Sequence, residues 1–514
     1  MKHAQQKPGI ALLLAGLIPA AAGWAEETEL GPLPSHDDDH EHSLGLSEEF
    51  VPFEKLGEGF VERPKPVTEV IEDSLFPQNR ERNEIIEERR ANPGVEDDRE
   101  LPERKNLFGG NPFLGTGEIF EGVEMPTGAV WQPVFILWGD FRSSVQTFDN
   151  GPTDFTEWTN RLDLFGNLYL TPTERLLFQI RPFDQDGRFS GVQFEGDDEG
   201  GFESFNGNIR TLFFEGDFGE LFPKWDPNDS KNLDFGFSIG RQPLSFQDGI
   251  ILNDFVDSIG VTRSSLFFLG SNATHITGYF GVNELHRNDN RPDDDALIFG
   301  LNMASDYDKS TYEFDLAYVD GDLETGGDGL YAGIGQTRRF GHWNSTFRVN
   351  GSWALDEETD AVSTGTLVTH QLSKTAKRNN DIFYLNTFWG IDNYASAGRD
   401  PSTGGPLGPI GILYASPGLG QFQAPLGNRV GDNVGFAAGY QHFMDDNSAQ
   451  LIFEVGGRHA MEDDQQSSLG LMTRYQRAFG LHHILVIDAF VAGYDDPLLD
   501  DWGYGFRTEW RIKF

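Results

Sequence analysis

Eight arginines fall at alternate positions of segments that otherwise carry apolar residues: Arg142, Arg161, Arg181, Arg348, Arg458, Arg474, Arg507 and Arg511. Asp163, Glu313, Asp315, Glu454, Asp488 and Glu509 share that parity. A guanidinium is a planar fork of donors that matches carboxylates and phosphates. A ring of such groups around a pore selects anions. The same residues can instead pair with the acids across neighbouring strands and brace a wall. The sequence supports both roles for these eight positions, and no other group of residues offers comparable chemistry. There is no Gly-x-Ser-x-Gly elbow, His-Glu-x-x-His pair or phosphate loop. Neither an enzyme nor a bound cofactor is expected.

The elements that hold these residues are strands. The chain ends DWGYGFRTEWRIKF, in which Trp502, Tyr504, Phe506, Thr508, Trp510, Ile512 and Phe514 alternate with Gly503, Gly505, Arg507, Glu509, Arg511 and Lys513. Period two with one aromatic and one charged face describes a strand between lipid and water. This register directs Trp510, Ile512 and Phe514 to lipid and Arg507, Arg511 and Lys513 to a lumen. Similar alternation marks Leu162, Leu164 and Leu168, Tyr312 to Tyr318, Leu451 to Val455 and Leu469 to Tyr475. After Thr127 such segments recur at intervals of roughly twenty residues, about eighteen in all. The connections between them alternate long and acidic with short, a long loop from Asp184 to Asn206 being one of the first. The expected fold is therefore all-β: a transmembrane antiparallel barrel of about eighteen strands, preceded by an irregular acidic extension.

Length, charge and targeting agree with export. The chain has 514 residues, 82 Asp and Glu against 39 Lys and Arg, and a formal net charge of −43. That excess excludes nucleic acid as a partner, because phosphates would be repelled. Cysteine is absent, while Gly (61) and Phe (43) are abundant. Lys2, His3 and Lys7, then an apolar run from Ile10 to Ile18, then small residues through Ala25, read as a secretory signal over residues 1–25. Residues 26–127 form the acidic extension, partly disordered and periplasmic. Residues 128–514 form the barrel, placed in the outer membrane of a Gram-negative bacterium. Its expected partners are outer-membrane lipid and lipopolysaccharide, the barrel-assembly machinery through the C-terminal strand, and a periplasmic partner for the extension.

Within the extension, His36-Asp37-Asp38-Asp39-His40-Glu41-His42 is either a loose metal-binding run or a solvated acidic tail. Glu81 to Arg90 reads as a short helix, and Asn111 to Thr127 as an ordered lead into the first strand. Glu195 to Glu199 could hold a calcium or magnesium ion or merely solvate its loop. The longest loop, Tyr394 to Val430, carries Ile410, Ile412, Leu413, Tyr414 and Phe422, too many apolar groups to leave in water. It is expected either in the lumen or over its mouth, or packed on neighbouring loops.

Phe237 to Arg263 reads as a strand ending in Gly240-Arg241-Gln242, a loop, and a strand resuming with Asp257. A Gly-Arg-Gln strand end before a folded-in loop resembles the alginate-export family of large porins, as does the strand count. The resemblance implies an arginine-rich lumen that passes an anionic polysaccharide, with loops and turns plugging the ends. Arg241 shares parity with outward Ile239, so a bulge is expected to turn it inward. The expected function is an outer-membrane channel for anionic or polar solutes, oligo- or polysaccharide among them. The alternative is a barrel that serves as scaffold or sheath, plugged by its N-terminal region.

Overall fold

The computed structural model describes Ile85, residues 106–110, and residues 120–514 apart from 186, 197–198, 226, 229–232, 378, 416, 462–466, 496–498 and 500. The expected signal over residues 1–25, the His36 to His42 run, the expected Glu81 to Arg90 helix except Ile85, residues 111–119 of the expected lead into the first strand, and Asp197 and Asp198 lie outside these residues.

Alternation becomes wall as the sequence dictates. The wall begins with β1 (Val134–Asp149) and β2 (Asp154–Tyr169). β3 (Arg175–Ile180), β4 (Arg188–Glu195), β5 (Gly200–Phe202) and β6 (Ile209–Asp217) come next, followed by β7 (Phe235–Phe246), β8 (Leu252–Leu266) and β9 (Ala273–Val282). β10 (Leu297–Tyr307), β11 (Ser310–Asp320), β12 (Gly329–Phe340), β13 (Trp343–Ala354), β14 (Gly365–Thr375) and β15 (Ile382–Asp392) continue it. β16 (Asn433–Met444), β17 (Ala449–Ala460), β18 (Ser467–Phe479), β19 (His483–Asp495) and β20 (Trp502–Lys513) complete it. Neighbours pair antiparallel, and β20 pairs back onto β1, so the sheet closes as an 18-strand barrel. Closure leaves no sheet edge and satisfies the backbone without water. The last residue takes part: Phe514 and Gly139 exchange both backbone hydrogen bonds, at 2.6 and 3.0 Å. Outward positions form an exposed apolar band that includes Ile239, Ile334, Phe383, Phe453, Leu471 and Phe506.

Asp184 to Asn206 is not the one loop that its acidity suggests, because residues 188–195 form a wall strand. β3 and β4 both pair with β2, as Leu164 with Ile180 and Asn160 with Ser190, so they form one wall strand with an inward excursion between them. β5 and β6 form the next wall strand. Gly191 and the acidic run after Glu195 hide this alternation in the sequence.

Two segments occupy the lumen at the long-loop end. The first is the hairpin of β7 and β8. Its turn, with Gln247, Asp248 and Gly249 all at positive φ, leads to Ile250, Ile251 and Leu252, which are fully buried. Ile251 and Leu252 pack with Tyr279, Ile298, Val319 and Tyr331 on the inner face of the neighbouring strands β9 to β12, and Ile250 packs in a second cluster with Phe388 and Tyr394. Gln247 donates to Asp315 at 2.7 Å, and Asp248 pairs with Arg348 at 2.8 Å. The expected bulge at Arg241 is absent, since β7 and β8 pair without a register shift. Gly240 turns the strand instead, at φ +128°, with its hydrogens against the Leu212 carbonyl; an added Cβ would lie 2.3 Å from that oxygen. Few L-residues tolerate such a φ. Gly240→Ala should cost about 1–3 kcal/mol, read as a lower urea midpoint for the folded band on unheated gels. An unchanged midpoint would remove Gly240 as the hinge.

The second segment is the loop between β15 and β16. Its short helix α1 (Ile412–Ala415) and flanking turns bury Leu407, Ile410, Leu413, Tyr414, Phe422 and Leu426 completely. They pack against Phe148, Phe155, Phe388, Met472 and Phe490 on the inner wall. The apolar residues that marked this loop in the sequence are its lumen contacts. The two segments join through a short parallel pairing of Leu252–Asn253 with Gly398–Arg399. Arg399 is buried there against the carbonyls of Gly249 (2.7 Å) and Gly404 (2.6 Å).

Candidate functional site: the inner wall and its plug

Inward residues of adjacent strands stand in rows around the lumen, because register places them opposite one another. Nearest the short-turn end is Lys513, Asp140 and Asp163. One step up, Arg511 faces Arg142, which faces Arg161. Glu509, Ser144 and Thr159 follow, then Arg474, Asp488, Arg507, Gln146 and Glu157. Phe490, Phe148 and Phe155 stand above these as the apolar shelf on which the loop rests.

Each of the eight arginines has a protein partner. Arg142 grips Glu509 with two bonds of 2.7 Å. Arg161 and Arg181 share Asp163 at 2.6 and 2.7 Å, and Arg181 also reaches Asp184 at 3.0 Å. Arg474 holds Asp488 at 2.8 Å, Arg507 takes the other Asp488 oxygen, and Arg511 pairs with Asp140. Arg348 sits between Asp248 (2.8 Å) and Glu313 (3.2 Å). Arg458 differs, donating to the carbonyls of Leu426 (3.3 Å) and Arg429 (3.2 Å). Exposure separates two groups. Arg142, Arg161, Arg474 and Arg511 keep 19–27% of their side chains accessible to the lumen, whereas Arg181, Arg348 and Arg507 keep 3–6%. Arg507 lies beneath the loop, its guanidinium 5.4 Å from the Phe422 ring centre. The buried three brace the wall and the plug. The accessible four stand on the short-turn side of the plug.

Carboxylates also anchor the loop, a role that the sequence did not show. Glu454 accepts the backbone N–H of Ile412 at 2.6 Å and that of Leu413, and the Tyr384 hydroxyl at 2.6 Å, so it caps α1 from the wall. Glu157 accepts the Gln421 N–H at 3.1 Å. The Tyr414 hydroxyl donates to the Gly457 carbonyl at 2.6 Å. Arg210 reaches from β6 to Asp400 of the loop and stacks 4.3 Å over Phe255. A register shift between Gln179 and Ile180 in the β3–β6 pairing puts Arg210 in a bulge, which turns it inward. Burial opposes the charged form of Asp400, but Arg210 and then the Ser402 hydroxyl hold its carboxyl below the ordinary carboxylate range.

No family model matches the chain, and no curated protein matches it by sequence. Solved structures match its shape. OpdK of Pseudomonas aeruginosa, solved with vanillate, aligns with a TM-score of 0.50 at 10% identity, over 74% of this chain and 98% of that one. The chain has the fold of an outer-membrane β-barrel. OccK11 (OpdR) of the same species aligns at 0.49 and 10% identity, over 74% and 96%. Wzi of Escherichia coli, an outer-membrane protein described as a carbohydrate-binding β-barrel involved in group 1 capsule assembly, aligns at 0.42 and 14%, over 72% and 83%. The likeness extends to architecture; the alginate-export resemblance finds no specific counterpart among these structures.

Proposed function

We propose that this protein is an outer-membrane channel that passes anionic or polar solutes, with its short turns and chain ends in the periplasm and its long loops at the cell surface. One observation carries the reading: Arg511, Arg142 and Arg161 stand directly opposite each other on three neighbouring strands and remain accessible to the lumen. Like charges in adjacent register are destabilising. Bracing requires only that each arginine meet a carboxylate, which a staggered arrangement would supply without that repulsion. A cationic row beside open lumen offers an anion successive forks on its way through. The loop and the β7–β8 hairpin narrow the path above the row, which favours small carboxylates and short oligosaccharides over a thick polymer. They also supply a constriction from within the barrel, so the reading needs no plug from the N-terminal region.

Reversal potentials across a planar bilayer with a salt gradient test this. The wild type should prefer anions, and Arg142→Ala with Arg511→Ala should move the reversal potential toward cation preference. A cation-preferring wild type, or a double variant that behaves as the wild type does, would return the row to bracing.

A further inference from the structure

The barrel wall is interrupted at its long-loop end, between β6 and β9. β7 bonds to β6 from Gly236 to Arg241, and β8 bonds to β9 from Asp257 to Leu266. Past those points the upper parts of β7 and β8 leave the wall and turn into the lumen. A cavity of about 570 Å³ occupies the gap. Ile209, Arg241 and Asp257 line it from the outward face, Arg181 and Asp184 from the lumen, and Asp400 to Ser402 from the plug. The cavity therefore passes through the plane of the wall. Ile239 and Ile259, both exposed, lie two residues below Arg241 and Asp257 on the same face. The opening thus begins where the apolar band ends on these strands.

Its chemistry is dense and balanced. Arg241 pairs with Glu284 at 3.0 Å, Arg181 with Asp184 at 3.0 Å, and Arg210 with Asp400. Asp257 accepts from the Asn283 amide at 2.9 Å. The amides of Asn206 and Asn208, the Ser402 hydroxyl and His286, which pairs with Asp254 at 3.0 Å, also line it. An anion would meet carboxylates at least as numerous as the guanidiniums. An apolar group would strip water from paired charges at a high cost. A polyhydroxyl ligand fits, because each hydroxyl donates to a carboxylate and accepts from a guanidinium or amide. The Arg210 Nε is buried without a partner among the described residues, a donor still to be used.

We propose that this gap is a lateral binding site for neutral oligosaccharide, supplied either as free glycan or as the sugar part of an outer-leaflet glycolipid. The site is independent of whether the lumen conducts, so it and the channel reading fail separately. The test uses the full-length protein in lipid nanodiscs on an array of neutral and acidic oligosaccharides, each presented free and lipid-linked. Neutral glycans should bind; signal confined to the lipid-linked neutral glycans would assign the glycolipid source. Glu284→Gln and Asn283→Ala, both at the rim of the cavity, should each weaken binding about tenfold. The chain contains no cysteine, so Ser402→Cys provides a unique thiol. Bound glycan should slow its labelling by a membrane-impermeant maleimide. The proposal is overturned if no glycan binds, if only acidic glycans bind, or if binding survives both substitutions and leaves Ser402→Cys labelling unprotected.

Discussion

Replacing residues 401–428 by a short Gly-Ser linker is expected to raise single-channel conductance several-fold in planar bilayers while leaving a closed barrel. The loop fills lumen rather than covering it. Leu407, Ile410, Leu413, Tyr414, Phe422 and Leu426 have no exposure, and their partners are inner-wall residues from β1, β2, β15, β18 and β19. Space that excludes water from six large side chains carries no ions, and conductance follows the narrowest section. The wall does not depend on the loop for its hydrogen bonds, since β15 and β16 pair directly from Ile382 with Gln441 to Trp389 with Val434. The cost falls on the shelf: Phe148, Phe155, Phe388 and Phe490 would meet water, at about 25 cal/mol for each Å² of apolar surface. Folded protein should therefore survive with reduced thermal stability. A smaller change tests the anchor. Glu454→Gln keeps the volume but turns a charged acceptor of two backbone N–H groups into an amide that can oppose one of them, so it should add rapid open–closed noise without a larger fully open current. Conductance that stays at the wild-type level after the replacement would mean that the path avoids the loop altogether.

The wall was legible in the sequence because a barrel repeats one local rule. Lipid outside and water inside force period two on every strand, so Leu469 to Tyr475 or Tyr312 to Tyr318 each announce the fold alone. Parity likewise assigned all eight arginines to the lumen, since a one-residue slip would expose them to lipid. The interruptions were less legible. β4 has only Val192 and Phe194 on its outward face, too few to outweigh Gly191 and the acids that follow. The turn at Gly240 replaces a bulge, and a glycine inside a strand does not declare its φ. Partners were least legible of all. Which carboxylate Arg507 meets depends on strand shear and rotamer, and Glu454 reads as one more lumen acid until the loop is seen to land on it. Arg210 escaped because its parity is outward and only the bulge beside it reverses that.

Asp488→Asn should be the most damaging single substitution on the inner wall, destabilising the barrel by about 3–5 kcal/mol. Asp488 is fully buried and serves two guanidiniums, Arg474 at 2.8 and 3.1 Å and Arg507 through its second oxygen. An amide has the shape but only one acceptor oxygen and no charge, so two cations would share a neutral group. Arg474 retains lumen access and can draw on water. Arg507, 4% exposed under Phe422, cannot. The penalty should thus reside in Arg507, and a double-mutant cycle can locate it: Arg507→Gln added to Asp488→Asn should recover most of the lost stability, because it removes the stranded charge. Urea unfolding in lipid, followed by the mobility shift of unheated protein, reads both steps. Reversal potentials of the same variants separate bracing from selection. Asp488→Asn leaves one more net positive charge in the wall, so any Asp488→Asn barrel that folds should prefer anions more strongly than the wild type, whereas Asp488→Asn with Arg507→Gln should match it. Stability unchanged by Asp488→Asn would show that water already reaches Arg507, and that the loop does not seal the lumen above it.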